Sequence, residues 1–296
     1  MSYRLENGRK LVRSLATAVN RQLTAAIRQV LTAGPGNPEA VHQVRMHLKK
    51  TRAALRLVRS ALGERSAALS GALRDIARRL SAGRDEEILL DTFERLTAAL
   101  PQAGQAGQAG QAGQAGQAGL AGVREWLAQR RATAMQIDPA ERTQWLLALV
   151  RLQAALHHWP AACGAAVADG WLASFKRARQ CWRALAQHRD PERVHEWRKR
   201  VKTHWYHSRL LRAHAPPGSR RRRRQLRKLS VLLGDFHDLA VLCDQMALRP
   251  EAFGTPDQVA EFARLAAAEQ SRLVDLALAL GQELFDRKAP RLPGSH

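Results

Sequence analysis

The chain has 296 residues, 45% hydrophobic and 5% aromatic, which suffices for one large domain or two modest ones with a buried core. Its 48 Lys and Arg residues against 26 Asp and Glu give a net charge of +22, which predicts a polyanionic partner such as nucleic acid, polyphosphate or an anionic membrane surface. Three widely spaced cysteines argue against a disulfide framework, and no apolar run approaches the roughly 18 to 20 residues that span a bilayer. We therefore expect a cytoplasmic protein.

Helix-forming residues dominate the sequence, and no segment shows the sustained alternation of a strand, so the predicted fold class is all-α. A first helix reaches Leu31 and ends at the Gly-Pro-Gly of residues 34–36. A second is predicted from Pro38 to Leu62, because Gly63 follows. The remaining helical segments are predicted at residues 64–80, 84–100, 120–214, 219–233, 236–248 and 257–287. The segment 120–214 is expected to break near residues 138, 159 and 190.

Residues 102–119 are six copies of Gln-Ala-Gly. Glycine at this density disfavours a helix, and the repeat lacks the proline of a collagen sequence. We interpret it as a flexible inserted linker.

The chain repeats itself at a constant offset of 153 positions. Residues 41–59 laid on 194–212 are identical at seven of nineteen positions, and residues 73–89 laid on 226–242 add five identities in the same register. This pattern predicts an internal duplication within a single helical domain of residues 1–296. The first half would cover about 1–100 and the second about 120–288, with a tail at 289–296.

Cationic side chains recur at helical spacing inside the repeated segments. Intervals of three and four residues place six of them on one helix face in the first copy: His42, Arg45, Lys49, Arg52, Arg56 and Arg59. The second copy has Trp205 in place of Arg52 and retains His195, Arg198, Lys202, Arg209 and Arg212. An apolar stripe adjoins each row. Arg and Lys pair well with phosphate oxygens, and a protonated His adds two donors.

These rows resemble the conserved histidine α-helical domain family, known as CHAD. The resemblance rests on His-x-x-Arg-x-x-x-Lys from His42, on Arg-x-x-Leu-Arg-Leu from Arg52, on Arg84-Asp85 and on the Leu-Gly-x-x-His-Asp-x-x-Val segment at 233–241. It covers residues 9–287 apart from the insert, and Trp205 is its main departure. It implies a duplicated bundle around a basic central groove or pore that binds inorganic polyphosphate. The match places nine residues of the rows at this site: His42, Arg45, Lys49, Arg52, Arg56, His195, Arg198, Lys202 and Arg209. Arg59 and Arg212 at the ends of the rows, and Arg74 and Arg227 at repeated positions, complete the predicted site.

Other chemistries receive less support from the sequence. His195-Glu196 begins like a zinc-protease motif, but Lys199 occupies the second histidine position. Neither a phosphate loop with its lysine nor an acidic cluster for Mg²⁺ is present in the sequence. We therefore predict a non-enzymatic polyphosphate-binding protein with no catalytic residue, metal or cofactor, associated with polyphosphate-containing bodies.

Two alternatives to that prediction stay open. The first is a nucleic-acid-binding protein that contacts the phosphate backbone, although few aromatic residues fall on the rows for base stacking. The second is a polyphosphate-cleaving enzyme. The run Arg220–Arg224 is also open to two interpretations, a solvated helix start or a phosphate-binding rim.

Overall fold

The computed structural model describes residues 3, 5, 11–32, 37–80, 82–98, 112–134, 138–215, 219–287 and 289, except for the side chains of 38, 82–84, 112–119 and 134. Within these residues the regular elements are all helical, so the all-α prediction is confirmed. None of the described helices is both long and apolar enough to cross a membrane. The α-helices are α1 (Leu11–Thr32), α2 (Pro38–Leu57), α3 (Arg59–Leu62), α4 (Glu64–Arg79), α5 (Ala82–Ala98), α6 (Ala112–Ala134), α7 (Pro139–Ala155), α8 (Ala166–Gln187), α9 (Pro191–Leu210), α10 (Ser219–Leu248) and α11 (Pro256–Phe285).

The helices α2, α7 and α9 begin with the same local signal, an Asn or Asp followed by Pro. The Asn37 Oδ1 accepts the N–H of Ala40 at 3.1 Å, and the Asp190 Oδ1 accepts the N–H of Arg193 at 2.8 Å. These caps satisfy donors that a helix start leaves unpaired, and Pro at the first position has no N–H to lose. The predicted breaks before residues 139 and 191 are confirmed for this reason.

Two helices agree with the repeat in the sequence. Each of α2 and α9 has 20 residues, and they begin at positions 38 and 191, which is the offset of the repeat. The duplication itself, with its halves at 1–100 and 120–288, stays a prediction.

The predicted stop at Gly63 is confirmed. Its φ of 54° lies in the left-handed region, which glycine adopts without a steric penalty. The helix predicted over 38–62 is nevertheless interrupted, because α2 ends at Leu57 and the short α3 begins at Arg59.

Two other predicted boundaries are wrong. The insert was expected to lack a helix, yet α6 begins at Ala112, inside the repeat; residues 102–111 lie outside the described part. The buried residues Val123 and Leu127 fix the later turns of α6. A helix that has formed there extends back into the repeat, because Ala and Gln favour the helix and each glycine costs only about 1 kcal/mol. Similarly, α10 continues through Gly234, because the buried Leu233 and Phe236 on either side favour one uninterrupted helix.

The chain forms two compact units, which we call unit 1 and unit 2. Unit 1 comprises residues 1–81, 137–231 and 278–296, and unit 2 comprises 82–136 and 232–277. In unit 1, α1 packs on α2 and α7, α8 packs on α9, and α2 packs on both α8 and α9. In unit 2, α5 packs on α6, and the ring of Phe93 lies edge to face against Phe253 and Phe262. Packing defines these units, whereas the predicted halves are defined by the repeat.

A close approach of α8 to the end of α2 fixes the position of the first cationic helix. A Cβ atom added to Gly170 of α8 would lie 1.7 Å from the backbone oxygen of Leu57. Only glycine permits this distance, because real Cβ contacts do not fall below 3.0 Å.

Candidate functional site

Charge is divided unequally between the two units. Unit 1 carries 40 Lys and Arg against 12 Asp and Glu, a net charge of +28, whereas unit 2 carries 8 against 14, a net charge of −6. All thirteen predicted binding residues belong to unit 1. The net positive charge of the chain therefore originates in unit 1.

The two predicted rows lie on α2 and α9, which pack against each other in unit 1. The Arg56 Nη1 donates to the Thr203 Oγ1 at 3.0 Å and so joins the two helices directly. The stripe beside each row is buried, as predicted from the spacing. Its buried members are Val44, Leu48, Thr51, Leu55, Val58 and Leu62 in the first copy and Val194, Trp197, Val201 and Leu211 in the second.

Four arginines act on one another around the second half of α2, and we call Arg52, Arg56, Arg74 and Arg200 the arginine cluster. Desolvation, followed by the charges of Arg52, Arg200 and Arg74, lowers the pKa of Arg56 to about 10. Burial and then Arg74 lower the pKa of Arg52. The Arg52 Nε is also buried without a hydrogen-bond partner among the described residues. The cluster thus concentrates positive charge and leaves a guanidinium donor unsatisfied.

The charge of Glu196 raises the pKa of Arg56 and so opposes the effect of the neighbouring arginines. Its carboxylate already accepts the Lys199 Nζ at 2.6 Å and pairs with the guanidinium of Arg200. The hydrogen bond from Lys199, outweighing the opposing effect of burial, lowers the pKa of Glu196. This carboxylate is therefore occupied and compensates only part of the positive charge.

The beginning of the first row is half-buried on α2 and includes His42, Arg45 and Lys49. The Arg45 Nη1 donates to the carbonyl oxygen of Leu80 at 3.1 Å. Leu80 caps the C-terminus of α4, where carbonyl oxygens lack helical partners and attract cations. Arg45 therefore anchors α4, in addition to the binding role that the sequence predicts.

The row on α9 is interrupted by an aromatic side chain. Trp205 is half-buried against the core of unit 1, and the guanidinium of Arg209 lies over its ring at 5.0 Å from the centroid. Earlier on the helix, burial and then Lys199 and Arg198 lower the pKa of His195. Lys202 is half-buried between these residues. Trp205 thus takes the place of one cation in the row, and its ring packs against the guanidinium of the next, Arg209.

Three predicted residues lie outside the arginine cluster and outside helices α2 and α9. Arg59 is exposed on α3, beyond the break at Val58, and Arg227 is exposed on α10. Arg212 follows α9, where its charge acts on Arg223. Arg84, which carries part of the family resemblance, falls outside the described side chains.

Sequence reasoning missed two cationic residues of unit 1. Arg200 belongs to the arginine cluster but does not follow the repeated spacing; its signal is the Glu196 one helical turn earlier, a pairing distance on a helix. Lys50 is 8% exposed, and burial and then Arg209 lower its pKa. Its position on the core side of α2, beside Lys49, gave no sign of a functional role.

The buried histidines of α9 belong to the core. The His204 Nδ1 lies 2.8 Å from the Ser174 Oγ, and the His207 Nε2 lies 2.8 Å from the carbonyl oxygen of Ala53. Burial lowers the pKa of His207 to about 4, so the ring is neutral at pH 7. Within the described residues, no group of three or more His, Cys, Asp or Glu could hold a metal ion.

The sequence profile of the CHAD domain matches residues 16–247, and the chain belongs to this family. A similar solved structure is the CHAD domain from the plant Ricinus communis, with 19% identity, a TM-score of 0.63, and coverage of 99% of this chain and 96% of that chain. Another is PptA from Streptomyces chartreusis, with 19% identity, a TM-score of 0.62, and coverage of 92% and 98% respectively. These likenesses show the fold alone. No curated protein matches the chain.

Proposed function

We propose that this protein binds inorganic polyphosphate, without cleaving it, through the cationic rows of α2 and α9. The observation that carries the proposal is the arginine cluster: Arg52 and Arg74 repel Arg56, and the nearby carboxylate of Glu196 is already paired with Arg200 and Lys199. Repulsion of this kind opposes folding, whereas a bound polyanion would convert it into attraction. The CHAD family is linked to polyphosphate, which supports this choice of anion.

The shape of the rows favours a linear ligand. From Arg45 to Arg56 the cations advance along α2 by about 16 Å, at ~1.5 Å per residue. An isolated phosphate would contact one or two of them, whereas a phosphate chain can offer an oxygen to each. Arginine suits this role because its forked donors match phosphate oxygens.

Trp205 provides the argument against nucleic acid as the main ligand. Single-stranded nucleic acids gain much of their affinity from bases stacked on aromatic rings. Trp205 is the aromatic residue on the rows, and it packs against the core with Arg209 over its face. A base would have to displace that guanidinium, whereas a phosphate chain would bind to it.

We infer binding without cleavage from the chemistry of the groups in the cluster. Cleavage of a phosphoanhydride requires a positioned nucleophile, commonly prepared by a base or a metal ion. The carboxylate at the cluster, Glu196, accepts hydrogen bonds from a lysine and an arginine, and its pKa is lowered, so it is a weak base. Release of orthophosphate from long-chain polyphosphate in the presence of Mg²⁺ or Mn²⁺ would contradict this inference.

The test compares two charge-matched double variants of the full chain. Arg52→Gln with Lys202→Gln removes one cation from each row, and Arg264→Gln with Arg272→Gln removes two cations from unit 2. At roughly 1.5 kcal/mol or more per charge-assisted contact, the first pair should weaken polyphosphate binding about 100-fold or more. The control pair should leave the dissociation constant nearly unchanged, as measured by titration calorimetry.

Competition with duplex DNA at equal phosphate concentration separates polyphosphate from nucleic acid. We expect the duplex to leave most of the long-chain polyphosphate bound. Displacement by the duplex, or equal losses of affinity in the two double variants, would overturn the proposal. Binding should also weaken steeply with salt, because the ligand releases counterions on binding.

A further inference from the structure

Helix α7 is apolar on more sides than its packing within unit 1 uses. Trp145, Leu149 and Leu152 are buried in the core of that unit. Leu147 and Val150 point away from these three residues and remain 50% and 47% exposed. A helix that is apolar around most of its circumference is typical of a helix covered on more than one side. The outer side of α7 is therefore a candidate interaction surface.

Leu147 also lines an open groove between α4 and α7, two helices of unit 1 that pack against each other. The volume of the groove is about 620 Å³, which is within the range of ~300–1,000 Å³ for ligand-binding clefts. Its lining is mainly apolar and includes Leu69, Ala72 and Ile76 of α4 and Trp145, Leu147 and Leu152 of α7. The Nε1 of Trp145 is buried without a hydrogen-bond partner among the described residues, so the lining also contains an unsatisfied donor.

Guanidinium groups lie at both ends of this groove. At one end the Arg79 Nη1 donates to the Gln144 Oε1 at 3.2 Å. Near the other end the Arg65 Nη2 donates to the carbonyl oxygen of Ala155 at 3.3 Å. These bonds join each end of α4 to the opposite end of α7, so the two helices run antiparallel. From residue 65 to residue 79 the helix advances by about 21 Å at ~1.5 Å per residue, which is the length of a further helix of about 14 residues.

The charged residues in the lining of the groove are mainly positive. Arg79 and the exposed Arg151 both line it. The carboxylate in the lining belongs to Asp75, which pairs with the guanidinium of Arg78 at 3.6 Å. The groove thus offers an apolar surface flanked by cations, and a ligand with an apolar face between carboxylates would complement it.

The groove and the arginine cluster lie on different sides of α4. Arg74 belongs to the cluster and is two positions from both Ala72 and Ile76, which line the groove. Two positions correspond to a rotation of about 200°, so Arg74 lies about 160° around the helix from either residue. The apolar groove is therefore separate from the residues that we assign to polyphosphate.

We propose that the groove between α4 and α7 binds an amphipathic helix of a partner protein, with carboxylates on both sides of its apolar face. Two antiparallel helices form a trough into which a third helix packs, and helix-in-groove binding is a common mode of recognition. The charge of the groove selects an acidic helix. A second copy of this chain is disfavoured, because two copies of unit 1, each with a net charge of +28, repel each other. A flat bilayer would not reach the buried Leu69 and Leu152 in the lining.

This binding site would allow the protein to hold two ligands at the same time. The partner helix lies against the side of α4 that carries Ala72 and Ile76, whereas polyphosphate contacts the side that carries Arg74. The protein then connects the partner to the phosphate chain. The binding of the helix does not depend on the proposed function, because no residue of the groove belongs to the cationic rows.

The first test titrates a fluorescent, helix-forming peptide of roughly 18 residues into the full chain and follows its anisotropy. The peptide has leucines at positions i, i+3, i+4 and i+7 and glutamates beside them. One control peptide replaces each glutamate with lysine, and a second replaces each leucine with serine. The leucine–glutamate peptide should bind at least about tenfold more tightly than either control. The serine control retains the carboxylates and so measures their attraction to the cationic rows.

The second test uses two pairs of variants at exposed positions, where folding should be retained. Leu147→Glu places a negative charge in the wall of the groove and should weaken peptide binding about tenfold or more. Its control is Thr143→Glu, which adds the same charge one turn earlier on α7, outside the groove. Ala72→Phe fills the groove without a change of charge and should also weaken binding about tenfold. Its control is Ala67→Phe, on the same helix and outside the groove. Each control should change the affinity by about twofold or less.

Equal losses within either pair, or failure of the acidic peptide to bind the unaltered chain, would overturn the inference. A dimer seen by sedimentation, or binding to phosphatidylglycerol vesicles, would overturn it as well if Leu147→Glu abolishes it and Thr143→Glu does not. The groove would then take a second copy or a bilayer. The affinity for polyphosphate should be nearly unchanged in Leu147→Glu and Ala72→Phe, so each of these outcomes leaves the proposed function intact.

Discussion

Replacing Arg52 with glutamine should stabilise the protein and at the same time weaken its binding of polyphosphate. Arg52 is half-buried on α2, its Nε lacks a hydrogen-bond partner among the described residues, and the charges around it include Arg56 and Arg74. Glutamine keeps much of the aliphatic stem and removes the charge. In the free protein the substitution relieves repulsion, whereas in the complex it removes a contact.

The magnitude follows from the helix geometry. Arg52 and Arg56 are four residues apart, which places their Cβ atoms about 6 Å from each other. If the guanidinium charges are separated by the same ~6 Å, they repel by ~2.8 kcal/mol at an effective dielectric of ~20 and by ~0.7 kcal/mol in water. Because both side chains retain contact with solvent, we expect a gain of about 1 kcal/mol in the free energy of unfolding. That gain corresponds to a rise of roughly 2 °C in the melting temperature of a chain this long.

Calorimetric melting without polyphosphate, at low and at high salt, measures the effect. The gain should shrink at ~1 M salt, where the Debye length is ~3 Å. Arg272→Gln is a control of opposite sign, because Arg272 pairs with Glu269 at 2.6 Å and its loss should slightly lower the melting temperature. If Arg52→Gln also lowers the melting temperature at low salt, the arginines of the cluster do not repel one another as we infer.

Three further predictions concern protonation and packing. Burial and neighbouring cations lower the pKa of His195, whereas a bound polyanion would favour its protonated form. Titration calorimetry should therefore show the affinity for polyphosphate rising as the pH falls from ~7.5 to ~5.5. The rise should be smaller in the variant His195→Gln. The pKa of His207 is about 4 in the folded protein and about 6.5 in the unfolded chain. The stability that the neutral ring contributes is therefore present above pH ~6.5 and is lost as the pH falls toward 4. Urea unfolding across this range should show a smaller loss of stability in the variant His207→Gln. Gly170→Ala should lower the free energy of unfolding by about 3 kcal/mol or prevent folding, because the added Cβ would collide with the backbone of Leu57. Gly71→Ala is the control, because an added Cβ there has no atom within 4 Å. In the same unfolding assay it should be neutral or stabilising.

The fold was predictable where a few neighbouring residues decide the backbone conformation. An Asn or Asp before Pro begins α2 and α9. Gly63 follows the last residue of α3 and ends the helical stretch that began with α2. The misjudged boundaries depend on distant packing. Gly234 is as poor a helix former as any glycine, and it lies inside α10 because Leu233 and Phe236 are buried on either side of it.

The candidate site was predictable along each helix and not between helices. Spacing alone placed the cations of α2 and α9 beside a buried apolar stripe. Spacing could not show that Arg45 holds the end of α4, nor that Arg200 joins the cluster. A consecutive arginine run points in all directions around a helix, and only the structure shows that Arg222 is the member that packs against α8 and α11.

The separation of charge between the two units bears on the proposed function. A polyanion is attracted to unit 1, with its net charge of +28, and repelled by unit 2, with its net charge of −6. Additional affinity for a longer chain must therefore come from additional cations within unit 1. Neutralising carboxylates of unit 2 should consequently strengthen the binding of polyanions to the whole chain.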